Sequence, residues 1–469
     1  SAVGWQVFRA GSYRDLLTVE NGDFAAEVEE ISFDQIPMLD KDSAAKLGNR
    51  KLGELADMVS QFEVADNYTQ INYKGRPVRV TTLQYGDIIK WLNNRSAGLP
   101  AYLIIDMVTQ NVEVVRLEEG IRYTPAEHFG RNLYRYLRFH YPTYLFDEPA
   151  FEIDEEGRPW WVCPRVSHTI GLFGGRDIVG AVLVNAVTGE SAYYEVGSVP
   201  NWVDHVFTAE LIMQQYDYHG TYVNGFINSL FGQRDVTVTT EGYNYIAIGD
   251  DVYMYTGVTS VVSDQSNIGF ILSNQRTKET RFYLVAGAKE YSAMDSAEGQ
   301  VQQMRYTATF PLLLNISDQP TYFMALKDAA QLVKMYAMVN VSQYQIVATG
   351  ATVADCERNY RQMLLNGNLI DEETGTLPEE QMALTAAHSG VISDIRSAVM
   401  DGNTVYFLQI DGVWYSGKAA DTPELILLNV GDAVTVRCYA AAGGIAQPIY
   451  SITANTAAPD AEPEDAPAA

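Results

Sequence analysis

Ser43, Ala44, Ala45 and Lys46 stand at the S-x-x-K spacing with which an unprotonated lysine activates a serine for acyl transfer. No SDN or KTG segment accompanies them, and a helix starting after Asp42, with Asp42 or Ser43 capping its free amides, accounts for the same letters. Gly412–Lys418 spells GVWYSGK, one residue short of a phosphate-binding loop. Such a loop needs Ser or Thr after the lysine to hold magnesium, and it must join a strand to a helix. Here Ala419 follows and the setting reads as a hairpin, so nucleotide binding is not expected.

The six histidines, His128, His140, His168, His205, His219 and His388, form no HxH or HExxH arrangement. Glu127-His128 falls in the first turn of an expected helix, and His205 and His219 lie 14 residues apart. Asp154-Glu155-Glu156-Gly157 and Gly249-Asp250-Asp251 offer oxygens to calcium, but the alternating D-x-[DN]-x-[DN]-G spacing is missing, and they read as turns. Cys163, Cys356 and Cys438 are odd in number and far apart, which reads as small apolar core residues rather than a disulfide or CxxC site. No catalytic residue, metal-ligand set or cofactor is expected. Aromatic pairs on strands are the more open question: Trp160-Trp161, Tyr193-Tyr194, Tyr253/Tyr255, Tyr322-Phe323 and Trp414-Tyr415. Neighbours on a strand point to opposite faces, so one of each pair must turn away from a helix-covered core. The outward rings either join modules or form a recognition surface for a sugar polymer or peptide. Tyr406, Trp414 and Tyr415 are the expected ligand-binding mouth.

The chain has 469 residues, 47% hydrophobic and 19% charged, with 30 Tyr, which is a globular composition with ample core. Lys+Arg 32 against Asp+Glu 59 gives −27, a field that repels phosphate backbones and anionic headgroups. Nucleic acid and polybasic membrane binding are therefore not expected. An acidic chain this poor in cysteine suits an extracytoplasmic bacterial protein, although a cytosolic one could share the composition. No apolar run reaches the ~20 residues of a membrane span. The opening SAVGWQVFRAGSYRDLLTV places Val3, Val7, Leu16 and Val19 at helical spacing without an acid before Asp15. It reads either as the outer end of an anchor helix, with a membrane anchor upstream of Ser1, or as an ordinary first helix. NTAAPDAEPEDAPAA (455–469) reads as a solvated, disordered tail.

Internal repetition organises what must position any site. AYLIIDMVTQNVEVVRL (101–117), GAVLVNAVTGESAYYEV (180–196) and GFILSNQRTKETRFYLV (269–285) each read as two strands around a turn. Asp106, Asn185 or Asn274 stands at the turn entry, with Thr109, Thr188 or Thr277 three residues later. A degenerate copy, KMYAMVNVSQYQIVATG (334–350), keeps Asn340 and lacks the Thr. A second hairpin precedes each: 68–83, 151–164, 243–257 and 312–326. Helical patterns occupy 43–59, 124–139 (Thr124 cap, then Pro125), and about 203–218, 291–304 and 352–365. NGNLIDEETGTLPEEQ (366–381) reads as an acidic linker. Residues 389–452 read as five short strands with turns at Asp401-Gly402, Asp411-Gly412 and Gly431-Asp432, and LLNVGDAVTVRCY looks like part of an OB-type barrel.

A helix followed by a four-stranded meander, with DMVTQN, NAVTGE and NQRTKE in the last hairpin, resembles the PepSY domain. The resemblance covers about two-thirds of the chain and implies an extracytoplasmic setting, inhibitory in peptidase propeptides, with no catalytic residues to carry over. The expected fold is α+β: four tandem helix-plus-antiparallel-meander (PepSY-like) modules, then a small OB-like β-barrel. The expected boundaries are an N-terminal segment 1–42, modules 43–123, 124–202, 203–290 and 291–351, a helix and linker 352–388, a barrel 389–454 and the tail 455–469. The expected function is a non-catalytic, membrane-anchored extracytoplasmic scaffold or binding protein of the bacterial envelope, with an envelope protein or polymer as partner. The alternative is a regulator or inhibitor of an envelope peptidase, or a subunit of a surface assembly.

Overall fold

A computed structural model describes residues 4–31, 35–262, 266–370, 385–400, 403–419, 422–439 and 446–454. Val3, the linker from residue 371 onward, the Asp401-Gly402 turn and the tail 455–469 lie outside the described residues. The chain divides into two units, 1–364 and 365–469.

The inner hairpins form around their Asx turns. Asp106 Oδ1 accepts the amides of Val108 and Thr109 at 2.9 and 2.8 Å. Asn185 accepts those of Val187 and Thr188 at 2.9 and 3.0 Å, and Asn274 those of Arg276 and Thr277 at 2.9 and 3.1 Å. The threonine hydroxyl then accepts the amide two residues on, as Thr188 does from Glu190 at 3.2 Å. The following residue turns left-handed at Gln110, Gly189 or Lys278, which bends the chain into the return strand. At Asn340 the side chain accepts the amide of Gln343 at 2.8 Å, and with no Thr the second bond is not made.

The architecture built from these hairpins corrects the expected fold. The molecule is mostly β, 43% strand against 24% helix, in several antiparallel sheets, and it is not four helix-plus-meander modules. One reason lies in strand length. Arg76–Tyr85, Pro159–Ile170, Asp251–Ser260 and Gln319–Lys327 are 9 to 12 residues long. They therefore span roughly 30 to 40 Å at ~3.3 Å per residue, enough to pair along one edge with two short strands end to end. In the first sheet those are Phe62–Val64 and Thr69–Tyr73, in the second Leu145–Phe146 and Ala150–Ile153. Thr237–Thr239 with Asn244–Ile248, and Thr307–Ala308 with Leu312–Ile316, do the same in the third and fourth. The N-terminal segment also joins a sheet: Val19–Gly22 runs parallel to Thr280–Gly287 and makes the third sheet six-stranded. Val19 is thus a strand residue, not part of the first helix, which covers Gln6–Arg14.

Helix starts shift where a different cap wins. The first long helix is Lys41–Gly53, and its cap is Asp40, which accepts the Ser43 amide at 2.9 Å, not Asp42 or Ser43. The pattern at 124–139 breaks at Phe129, whose φ is +54°; the helix is Leu133–His140, capped by Asn132 rather than Thr124. Glu127-His128 is accordingly not a first helical turn: Glu127 is buried and accepts the Trp91 indole N–H at 2.6 Å. A further helix, Ile88–Asn94, carries an Asp87 cap that the pattern did not mark. Among the described residues no helix is long and apolar enough to cross a membrane.

The second sheet is covered on both faces, which explains its adjacent aromatics. Trp161, Cys163, Val182 and Val184 pack with Leu103 and Ile71 of the first sheet. Val162, Ala181 and Leu183 pack with Met254 and Ile271 of the third and with Ile212 of helix Ala209–Thr221. Trp160 lies half-buried on that second face, 5.8 Å from Trp202. In the C-terminal unit, Thr385–Met400, Asn403–Ile410, Val413–Lys418, Gln447–Ala454 and Ala433–Tyr439 close into a barrel in that order, the third and fourth of these parallel. Its core includes Ile392, Leu408, Tyr415, Val436 and Cys438.

Candidate binding site

The second short strand of the first sheet, Thr69–Tyr73, touches Ala150–Ile153 of the second sheet and Asn244–Ile248 of the third, and the last touches Leu312–Ile316 of the fourth. Polar groups gather where these edges meet. Glu152 is fully buried, and its two oxygens accept the backbone amides of Asp204 and His205, both at 2.8 Å. Asp204 in turn accepts the Asn72 amide at 2.7 Å. Burial pushes the Glu152 carboxyl up to about 7 against the two amide bonds, and it pushes Asp204 well above the carboxylate range, with the Glu152 charge adding. The imidazole of His205 lies against the Gln70 carbonyl through Nε2, and burial lowers it to about 4, so the ring is neutral and Nε2–H donates.

Arg79 sits beside this cluster, on the strand opposite Gln70 and Ile105. It is 9% exposed, and its hydrogen bonds are long: Nε to the Leu39 carbonyl at 3.4 Å and Nη2 to Gln70 Oε1 at 3.5 Å. Among the described residues it makes no ion pair. Asp40 acts on it most strongly of the carboxylates, yet Asp40 is itself bound to Lys327 at 2.6 Å. Burial consequently lowers Arg79 to about 10, the mark of a guanidinium desolvated without a matching anion.

Arg79 lines two cavities. One of about 490 Å³ lies between the first three sheets and includes Tyr68, Gln70, His205 and Tyr245. The other, of about 250 Å³, lies between the first, third and fourth sheets, beside Asp40, Tyr243 and Phe323. The Tyr68 hydroxyl is buried without a hydrogen-bond partner. Tyr245 stacks edge-on against His205 at 5.1 Å and against Tyr243 at 5.5 Å. Exposed carboxylates of Asp66, Glu148 and Glu210 stand at the rim of the larger cavity, with Glu210 accepting the Tyr243 hydroxyl at 2.8 Å. The arrangement offers a buried cation inside, aromatic walls, and at the mouth the carboxylates of Glu148 and Glu210 beside the Lys41–Asp66 pair at 3.4 Å.

The residues singled out from the sequence lie elsewhere. In the barrel unit Tyr415 is in the core, with its hydroxyl on His388 Nδ1, and His388 Nε2 meets Asp411 at 3.1 Å. Tyr406 pairs opposite Gly417 and packs on that core, while Trp414 pairs opposite Gln409 on the other face of the strand, with Arg396 5.1 Å from its ring centre. The three therefore do not converge on one mouth. Ser43 is buried and donates to the Gln331 carbonyl at 3.3 Å, whereas Lys46 is exposed, so the S-x-x-K spacing carries no serine–lysine contact. Asp154 closes its own turn, accepting Arg158 Nε at 2.7 Å and the Trp160 indole N–H at 2.9 Å. Among the described residues no group of His, Cys, Asp and Glu is placed to hold a metal ion.

RPVRVTTL reads only as the return strand of the hairpin 68–83, and nothing in that reading singles out Arg79. The structure places it inside a run of buried residues, Pro77 to Leu83, which the sequence does not mark. No family model matches the chain, and no curated protein matches it. Nothing in these comparisons identifies a PepSY-type repeat protein.

Proposed function

We propose that the protein is a non-catalytic binding protein of the bacterial cell envelope, working outside the membrane, whose central cleft takes an amino-acid or short-peptide ligand by its free carboxylate. The observation that carries this reading is Arg79, a buried guanidinium without a carboxylate partner that lines a cavity of about 490 Å³. A bidentate carboxylate supplies the charge-assisted hydrogen bonds that Leu39 and Gln70 supply only at long range. At the rim, Glu148 and Glu210 favour a cationic group on the same ligand, Asp66 being paired with Lys41, and the tyrosine walls suit a small organic body. A non-catalytic role is favoured because the neighbouring acid–base groups are engaged by the backbone: Glu152 by two amides and His205 by a carbonyl. The acidic, cysteine-poor composition is the support for the extracytoplasmic setting.

Thermal-shift measurements with dipeptides and their C-terminal amides test the reading. Stabilisation by the acids, absent with the amides and absent in Arg79→Met, is the expected pattern. Equal response to acid and amide, or no response to any member of the series, contradicts it, as does turnover of a peptide that is lost on replacing Glu152 or His205.

A further inference from the structure

The tips of three segments meet at one end of the large unit and expose a set of large apolar side chains. Helix Gln6–Arg14, the turn between Pro159–Ile170 and Gly174–Asn185, and the short helical stretch 225–232 share a small core of Ala10, Tyr13, Ile170 and Tyr222, with Phe226 against it. The Tyr13 hydroxyl donates to the Gly4 carbonyl at 2.9 Å, and that of Tyr222 donates to Gln6 Oε1 at 2.7 Å. A side chain on Gly174 would run into Tyr13 and the Gly4 carbonyl, so turn and helix are in close contact. Outside that core, Trp5 is 62% exposed, Phe8 71%, Leu172 70%, Phe173 83%, Ile227 75% and Phe231 83%. Most of the surface of each is left to solvent.

Charge is partitioned in the same way. None of the chain's 59 acidic residues lies in segments 4–14, 165–176 or 218–234, which carry Arg9, Arg14, Arg165, Arg176 and Arg234. Arg9 is exposed and makes no ion pair among the described residues, whereas Arg14, Arg176 and Arg234 pair with Asp15, Asp147 and Asp235, and Arg165 lies 3.8 Å from the ring centre of Tyr144. A chain of net charge −27 is repelled by an anionic membrane over most of its surface. A face close to neutral, with Arg9 unpaired and protruding Trp, Phe, Leu and Ile side chains, lifts that repulsion locally, since aromatic and aliphatic tips enter the headgroup boundary while an exposed arginine stays among the phosphates.

We infer that this face docks on the surface of an anionic lipid bilayer, with Trp5, Phe8, Leu172, Phe173, Ile227 and Phe231 as the inserting side chains. The inference rests on the envelope reading above only in placing a membrane beside the protein; the ligand of the cleft plays no part in it. It also revises the expectation from net charge, because the average hides a face on which charge is close to balanced.

Co-sedimentation of the full chain with vesicles of phosphatidylglycerol and phosphatidylethanolamine is the test. The expected result is binding to these vesicles, weakened ~tenfold or more by the double substitution Phe173→Ser, Phe231→Ser. Binding should be unchanged by Leu284→Ser, an equally exposed residue that lies beside Asp23 and Asp318 instead. Brominated lipids should quench part of the tryptophan fluorescence, and Trp5→Phe should remove that part. A wild-type chain that stays in the supernatant overturns the inference, and so does binding that survives the double substitution. Sedimentation showing dimers that the double substitution dissociates, with no vesicle binding, overturns it in favour of a contact between copies. The cleft reading stands or falls separately, on the dipeptide series measured without lipid.

Discussion

Glu152 and Asp204 meet where solvent is largely excluded, and each makes the other's ionisation less favourable. Carboxyls whose folded pKa is raised favour folding at low pH, and the penalty grows as pH rises from the ordinary value through the raised one. For Glu152 that window runs from 4.5 to about 7, and the shift corresponds to on the order of 3 kcal/mol. His205 acts in the opposite sense: its folded pKa is lowered from 6.5 to about 4, so its contribution is present above 6.5 and is lost as pH falls through 4. The two trends overlap in wild type, and a difference measurement separates them. Asp204→Asn keeps an oxygen for the Asn72 amide and removes one charge, so its stability relative to wild type should rise between pH 5 and pH 8 in urea denaturation. A difference that stays flat over that range would show that the pair does not interact as described.

At the scale of elements, the turns were legible and the pairing was not. Asp106, Asn185 and Asn274, each followed by Thr, state a local bonding pattern that the backbone then makes. Asn185→Ala should therefore destabilise the large unit by about 1 kcal/mol in denaturant midpoint, with the slope unchanged. Asn274→Ala should cost more, because Asn274 also donates to Asp251 at 2.8 Å; equal losses would contradict that added role. What the repeats could not convey is that a long strand accepts two partners on one edge, because nothing in a short apolar run says which half of a neighbour it will meet. The break before Leu133 was hidden for a related reason. Thr124 and Pro125 make a good helix start, but Trp91 on Glu127 and the Asn132 side-chain amide on the Pro125 and Glu127 carbonyls hold the chain out of helix until Asn132. Arg79 was illegible as a site because its meaning depends on which three sheets surround it.

At the scale of the molecule, polar clasps hold the sheets together. Lys278, from the inner turn of the third sheet, reaches Asp177 of the second at 2.9 Å, Gln215 at 3.2 Å and the Leu16 carbonyl at 2.9 Å. Both charged partners are mostly buried, 18% and 19% exposed, so removing one leaves the other unpaired away from water. Lys278→Met should cost about 3 kcal/mol, whereas Lys51→Met, which breaks an exposed pair with Glu54, should stay within about 0.5 kcal/mol. Comparable losses from the two would mean the clasp does not join the sheets energetically. The same convergence of sheets that makes these clasps creates the cleft around Arg79, so the binding site is a property of the assembled unit rather than of any one repeat.

The central claim is that Arg79 is held buried and unpaired for a ligand's carboxylate. Calorimetric titration of wild type and Arg79→Met with the most stabilising dipeptide of the series tests it most directly. Saturable binding by wild type and at least ~tenfold weaker binding by the variant are expected, the loss of one charge-assisted bidentate contact. Equal affinities, with both proteins folded, would contradict it.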